Sequence, residues 1–255
     1  MLDRLLRREA TGRRSDHVWM TELPPAVEFD SSDSSLAAYW SARSDLLFHD
    51  HYAGILLMKF PEDLRVYEHL LWVMKPDAVI ELGTHSGGSA LWFRDRMQTF
   101  QRYGGAPPRV ITVDLAPHNA VANIEAADPS ALKREITVLT GDVLDPDLPA
   151  RVAELLPAGA RCLVTEDSAH VSATTSAALK GFARFVPLGG WFVVEDGVVD
   201  DPNLKLNFDH EGGGVQPAIA EWLTTEEGSA FDQRRDLEIY GMTCHPHGYM
   251  QRNRP

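Results

Sequence analysis

The sequence predicts a doubly wound α/β domain, a mostly parallel sheet with helices on both faces and an antiparallel hairpin at its C-terminal edge. Two observations carry this expectation. Short apolar, β-branched runs at residues 78–82, 110–113, 136–139, 162–164 and 191–194 start 32, 26, 26 and 29 residues apart, with helix-compatible segments such as 89–100 and 172–186 between them. That is the rhythm of repeated βα units, whose right-handed crossovers cover a parallel sheet on both faces. Each run also ends at or beside a carboxylate: Glu81, Asp114, Asp142, Glu166-Asp167 and Glu195-Asp196. Open α/β sheets bind ligands outside the carboxyl ends of their strands, so the acids fall where a site belongs.

Taken in order, residues 1–60 read as an N-terminal extension, an oligomerisation or lid segment, with weak helical turns around 35–47 and five arginines in the first 14 residues. From Pro61, Leu64, Tyr67, Leu71 and Met74 recur at spacings of 3, 4 and 3, an amphipathic helix that ends before Pro76. The main domain is therefore expected over 61–255. The eighteen residues 197–214 follow the fifth strand without a clear pattern and are expected to cover the substrate, the alternative being an ordinary surface excursion. Residues 237–242 and 249–251 are expected as the antiparallel edge strands.

Composition excludes several classes of function. With 255 residues, 24 basic against 37 acidic side chains and a net charge of −13, the chain lacks the basic surface that drives nucleic-acid binding. Its longest relevant apolar run, Ile55-Leu56-Leu57-Met58, is far below the ~20 residues that span a bilayer, and no apolar core follows the N-terminal arginines as in a secretory signal. Cys162 and Cys244 have no metal-type spacing and read as structural thiols of a reducing cytoplasm.

The loop after the first strand, Gly83-x-x-x-Gly87-Gly88, lets backbone N–H groups approach a ligand at the start of a helix, although it is not the dinucleotide G-x-G-x-x-G pattern. Asp114, some 30 residues further at the next strand end, is placed to accept hydrogen bonds from ribose hydroxyls. Acid density at Glu81, Asp114 and Asp142 disfavours a polyphosphate and suits a positively charged adenosine ligand, S-adenosylmethionine. A second constellation gathers Asp167, Glu195 and Asp196, carboxylates whose mutual repulsion a hard cation such as Mg²⁺ relieves. His170, at the start of the following helix, is the candidate general base. His245-Pro246-His247 has a metal-like look, but its proline favours a turn.

These residues resemble the cephalosporin-hydroxylase and rhamnosyl O-methyltransferase group, which includes metal-dependent O-methyltransferases of macrolide sugars. The similarity runs from about Phe60 to Arg252 and rests on Pro61-x-Asp63-Leu64-x-x-Tyr67, on Glu81-x-Gly83-Thr84-x-x-Gly87-Gly88-Ser89, on Asp167-Ser168-x-His170, on Gly190-x-x-x-Val194-Glu195-Asp196 and on Gly248-Tyr249-x-x-Arg252. The resemblance implies a class I, Rossmann-like methyltransferase fold and S-adenosylmethionine held around Glu81, Gly83, Thr84, Ser86, Ser89, Asp114, Asp142 and Asp167. It further implies a divalent ion on Asp167, Glu195 and Asp196, with His170 as base. The expected reaction is methylation of a hydroxyl on a natural-product sugar or related small molecule, in antibiotic-type biosynthesis, by a cytoplasmic homo-oligomer. The alternatives are a component of an oxidation system and a non-catalytic adenosyl-binding subunit. Glu166 departs from the family pattern, standing where an apolar residue is expected.

Overall fold

The computed structural model describes residues 45–201, 213–238 and 243–255. The N-terminal arginines, most of the helical turns expected around 35–47, residues 202–212 of the expected cover and residues 239–242 of the expected edge strand lie outside the described residues.

The chain enters through a short 3₁₀ turn and a two-stranded antiparallel ribbon, β1 (His51–Tyr52) and β2 (Ile55–Leu56). There follow α1 (Pro61–Met74), β3 (Ala78–Leu82), α2 (Gly88–Gln101), β4 (Val110–Asp114), α3 (His118–Ala127), α4 (Ala131–Arg134) and β5 (Ile136–Thr140). The second half runs α5 (Leu148–Ala153), β6 (Cys162–Glu166), α6 (Ser172–Phe182), β7 (Trp191–Val194), α7 (Val215–Trp222), β8 (Phe231–Gln233) and β9 (Tyr249–Arg252). The seven-stranded sheet has the order β5-β4-β3-β6-β7-β9-β8; its first five members are parallel, and β9 runs antiparallel to both β7 and β8.

The five parallel strands lie where the apolar runs place them. β3 and β6 are buried at every position, as strands covered on both faces must be. Successive residues feed opposite cores: Ile80, Val164, Phe192 and Val194 meet Leu179, Phe182 and Ile219, whereas Val79, Leu163 and Val193 meet Tyr67, Leu71 and Phe93. Helix α1 begins with Pro61 in its first turn beside Glu62 and Asp63, favourable at a positive dipole end, and stops at Lys75 in a left-handed conformation before Pro76.

One expectation is corrected. The helix expected over 172–186 ends at Phe182 and tightens into a 3₁₀ turn over Ala183–Phe185, because Val186 is held extended ahead of Pro187. The antiparallel edge hairpin is formed by β8 and β9; of the strand expected at 237–242 only residues 237–238 are described, and Arg235–Leu237 is a 3₁₀ turn. Phe231 decides this placement: it is buried, its ring 5.0 Å from Trp222, and it anchors the pairing with Arg252. No helix among the described residues is long and apolar enough to cross a membrane.

Candidate active site

Strand order reverses on either side of β3, and the register brings Leu82 opposite Glu166 and Glu166 opposite Val194. Three chain segments therefore leave the sheet at one level. The ladder continues one step beyond the strands: Gly83 N–H donates to Val113 O at 2.8 Å, Asp167 N–H to Leu82 O at 2.7 Å and Glu195 N–H to Glu166 O at 2.8 Å. This locks the starts of the site loops to the sheet.

A cavity of about 300 Å³ opens at these strand ends. Gly83, Thr84, Ser86 and Ser89 of the glycine loop line one wall, Asp114 and Asp142 the next, and Asp167, His170 and Asp196 the rim. Leu56, Leu57 and Met58, beside the β1–β2 ribbon, supply an apolar wall. Gly83 has φ +108°, and a Cβ there would stand 1.8 Å from the carbonyl oxygen of Asp167, so only glycine lets the two loops touch. Met58, His85, His170 and Asp196, all cavity-lining and none glycine, also hold positive φ between 45° and 57°. Such strain persists where surrounding structure enforces it and concentrates at functional sites.

Asp114 does more than face the cavity. Its Oδ2 accepts N–H bonds from Thr84 at 3.2 Å and His85 at 2.9 Å, and its Oδ1 accepts from Ala116 at 2.9 Å, so the carboxylate shapes the glycine loop. Asp142 turns its own loop by accepting the Leu144 N–H at 2.9 Å. Glu81 lies below the cavity at 0% exposure, its Oε2 accepting a hydrogen bond from Thr112 Oγ1 at 2.6 Å. Burial pushes its carboxyl up to about 7, with the Lys59 ammonium offsetting part of that rise. Glu166, the departure from the family pattern, is fully buried but supplied with donors: Ser168 through both N–H and hydroxyl, and the Thr175 hydroxyl at 3.2 Å. Burial still raises its pKa.

The acid constellation divides into two layers. On the cavity side, ligand atoms of Asp167, His170 and Asp196 all lie within 4.8 Å of one another. His170 Nε2 is 3.5 Å from Asp196 Oδ2 and 4.0 Å from Asp167 Oδ1. The carboxylate oxygens of this rim suit a hard divalent ion, and the imidazole stands beside them. Beneath, Glu195 is 1% exposed, with Oε1 accepting from Tyr67 OH at 2.7 Å and Thr165 Oγ1 at 2.6 Å and Oε2 bound to Lys59 Nζ. Lys59 also reaches Asp167 Oδ2 at 2.9 Å.

Electrostatics follow from this layering. Burial alone would depress the Lys59 ammonium, but Asp167, Glu195 and Glu81 outweigh it and hold the pKa well above the usual lysine value. Against its burial, Lys59 and His245 bring Glu195 down to about 2. Asp167 goes the other way, raised by burial and by repulsion from Glu195 and Asp196.

Sequence reasoning missed Lys59, read Tyr67 only as a helix and motif residue, and set His245 aside as part of a turn. The turn at 245–248 contains the expected break, yet His245 points inward: its Nδ1 accepts the Asp196 N–H at 3.1 Å and its Nε2 stands 3.4 Å from Glu195 Oε2. Cys162 and Cys244 are free and buried, and burial pushes the Cys162 thiol up to about 12.

A parallel sheet with this strand order, a glycine loop after its first member and acids on the next strand ends define a class I S-adenosylmethionine-dependent methyltransferase. Residues 45–253 match the family model described as rhamnosyl O-methyltransferase/CmcI, and the chain belongs to that family, an S-adenosylmethionine-dependent O-methyltransferase in class. A curated rhamnosyl O-methyltransferase of Mycobacterium bovis (strain BCG / Pasteur 1173P2) is 28% identical over 207 residues, covering 79% of this chain and 78% of the relative. That of Mycobacterium leprae (strain TN) is 25% identical, covering 78% and 81%. Among solved structures, CmcI with Mg and SAM aligns with a TM-score of 0.55 at 21% identity, covering 90% of this chain and 89% of that one. An O-methyltransferase from Bacillus cereus with SAH aligns at 0.51 and 16% identity, covering 75% and 77%. These structural likenesses speak for the fold.

Proposed function

We propose that the chain methylates a hydroxyl of a natural-product sugar or related small molecule, using S-adenosylmethionine and a divalent ion, with His170 as general base. The observation that carries this reading is the convergence of Asp167, His170 and Asp196 on the rim of the cavity beneath the glycine loop. Relatives named rhamnosyl O-methyltransferase support a sugar acceptor.

In this reading the cofactor lies along Gly83, Thr84, Ser86, Ser89, Asp114, Asp142 and Asp167, with Glu81 buried below them. Asp167, Glu195 and Asp196 are the carboxylates assigned to the ion. When bound, S-adenosylmethionine supplies an electrophilic methyl group and the ion acidifies a hydroxyl beside it. His170, on the same rim, would take the proton of the acceptor hydroxyl as that oxygen receives the methyl group. The imidazolium that results has Asp196 Oδ2 3.5 Å away to stabilise it. The apolar wall of Leu56, Leu57 and Met58 excludes water, and the locked loops hold the reactants in line, where orientation is worth much of the barrier.

The test is His170→Gln assayed against a panel of deoxysugar glycosides, with S-adenosylhomocysteine binding followed by calorimetry. Turnover is expected to fall ~10²–10⁴-fold, the usual contribution of a general base, while cofactor affinity stays within threefold. Undiminished turnover would remove His170 from the mechanism. Failure of the wild-type protein to methylate any member of the panel, with cofactor bound, would reject the sugar acceptor.

A further inference from the structure

Asp167 faces two ways. One oxygen, Oδ1, looks toward His170 and the cavity; the other, Oδ2, is 2.9 Å from Lys59 Nζ. The same ammonium holds Oε2 of Glu195, whose Oε1 is already used by the hydroxyls of Tyr67 and Thr165. Lys59 is 4% exposed and is thus a cation enclosed between two of the three carboxylates assigned to the metal.

A divalent ion that bridges Asp167 and Glu195 needs the place this ammonium fills. We propose that Lys59 is a resident counter-ion that competes with the divalent ion: it neutralises the inner carboxylates while the site is metal-free, and the ion reaches Glu195 only by expelling it. The proposal rests on the reading that a divalent ion binds at Asp167, Glu195 and Asp196. It also accounts for how Asp167 and Glu195 sit together without a metal to hold them, since unpaired carboxylates taken out of water would oppose folding. Met58, immediately before Lys59, has φ +56° and lines the cavity, so the segment that carries the ammonium is also a wall of the site.

The experiment titrates full-length wild-type protein, Lys59→Met and Lys59→Arg with Mn²⁺, following free Mn²⁺ by electron paramagnetic resonance. Lys59→Met, which keeps length but removes charge, is expected to bind Mn²⁺ at least tenfold more tightly than wild type, and Lys59→Arg within threefold of wild type. Equal or weaker binding by Lys59→Met would overturn the proposal while leaving the metal reading intact. Absence of Mn²⁺ binding at millimolar concentration in both proteins would overturn the metal reading and the competition together. Because Lys59→Met removes the ammonium from Glu195 and Asp167 and can fail to fold, a second measurement uses wild type alone: acetic anhydride labelling read by mass spectrometry. Lys59 acetylation is expected to rise at least fivefold on saturation with Mg²⁺. Continued protection of Lys59 while calorimetry shows Mg²⁺ bound would overturn the proposal.

Discussion

The carbonyl oxygen of Asp167 occupies the space where Gly83 would carry a side chain, 1.8 Å from an ideal Cβ. The glycine loop after β3 and the acid loop after β6 are thereby packed backbone to backbone, and cofactor and acceptor ends of the site share one joint. Gly83→Ala meets both a clash with main chain and a φ of +108° that L residues avoid, each costing on the order of 1–3 kcal/mol. The expected outcome is a loss of ~2–5 kcal/mol in urea unfolding. S-adenosylhomocysteine binding should weaken at least tenfold by calorimetry; near-wild-type values for both would mean the joint is far more yielding than its geometry.

Asp114 is the strut of that loop, one carboxylate accepting three backbone N–H groups. Hydrogen bonds to a charged acceptor contribute about 1.5–3 kcal/mol each, and part of the loss on deletion is recovered by water at this half-exposed position. Asp114→Ala is expected to weaken S-adenosylhomocysteine 10- to 100-fold. Asp114→Asn, which keeps one acceptor oxygen, should fall between. Parity of the two variants in calorimetry would show that the side chain acts on the ligand alone and not through the loop.

Much of this arrangement was legible from residue patterns, because the parallel strands are short apolar runs bounded by turns and their ends carry the acids. What stayed hidden has physical causes. Lys59 stands among Leu57, Met58 and Phe60 and finds its partners 108 and 136 residues away, a pairing that no local period encodes. His245 reads as part of an edge turn because its inward direction is set by Glu195 and Asp196 on another strand. β8 is only three residues long and has a single strongly apolar residue, Phe231, so no alternating pattern marked it as the partner of β9. Glu81 looked like a ligand contact by its position, but in β3 it shares a face with Val79 and is sealed under the cavity.

Glu81 gives the chain a specific acid–base signature. Its folded pKa of about 7 lies above its ordinary value of 4.5, so between these values the folded state binds more protons than the unfolded state. Stability therefore falls as pH rises through that window and levels off above it, by about 3 kcal/mol for one fully buried group. Glu81→Gln cannot titrate and should lose this component. Urea unfolding at pH 5 and pH 8 checks it: the wild-type difference should exceed that of Glu81→Gln by about that amount, and matched pH dependence would show that Glu81 keeps an ordinary carboxyl pKa.

His245 is a positioning residue on the far side of the acids. It is 2% exposed, and its Nδ1 accepts the backbone N–H of Asp196, whose φ of +54° needs holding. His245→Phe keeps the ring but removes the acceptor, leaving a partly buried N–H unsatisfied at a cost of about 1–3 kcal/mol. Asp196 then loses its fixed direction toward His170, and kcat is expected to drop about tenfold or more with KM for S-adenosylmethionine changed less than threefold, since orientation and not binding is lost. His245→Asn places an oxygen near the position of Nδ1 and should restore most of the rate. A His245→Asn protein as slow as His245→Phe would show that the imidazole acts through its contact with Glu195 rather than through the Asp196 backbone.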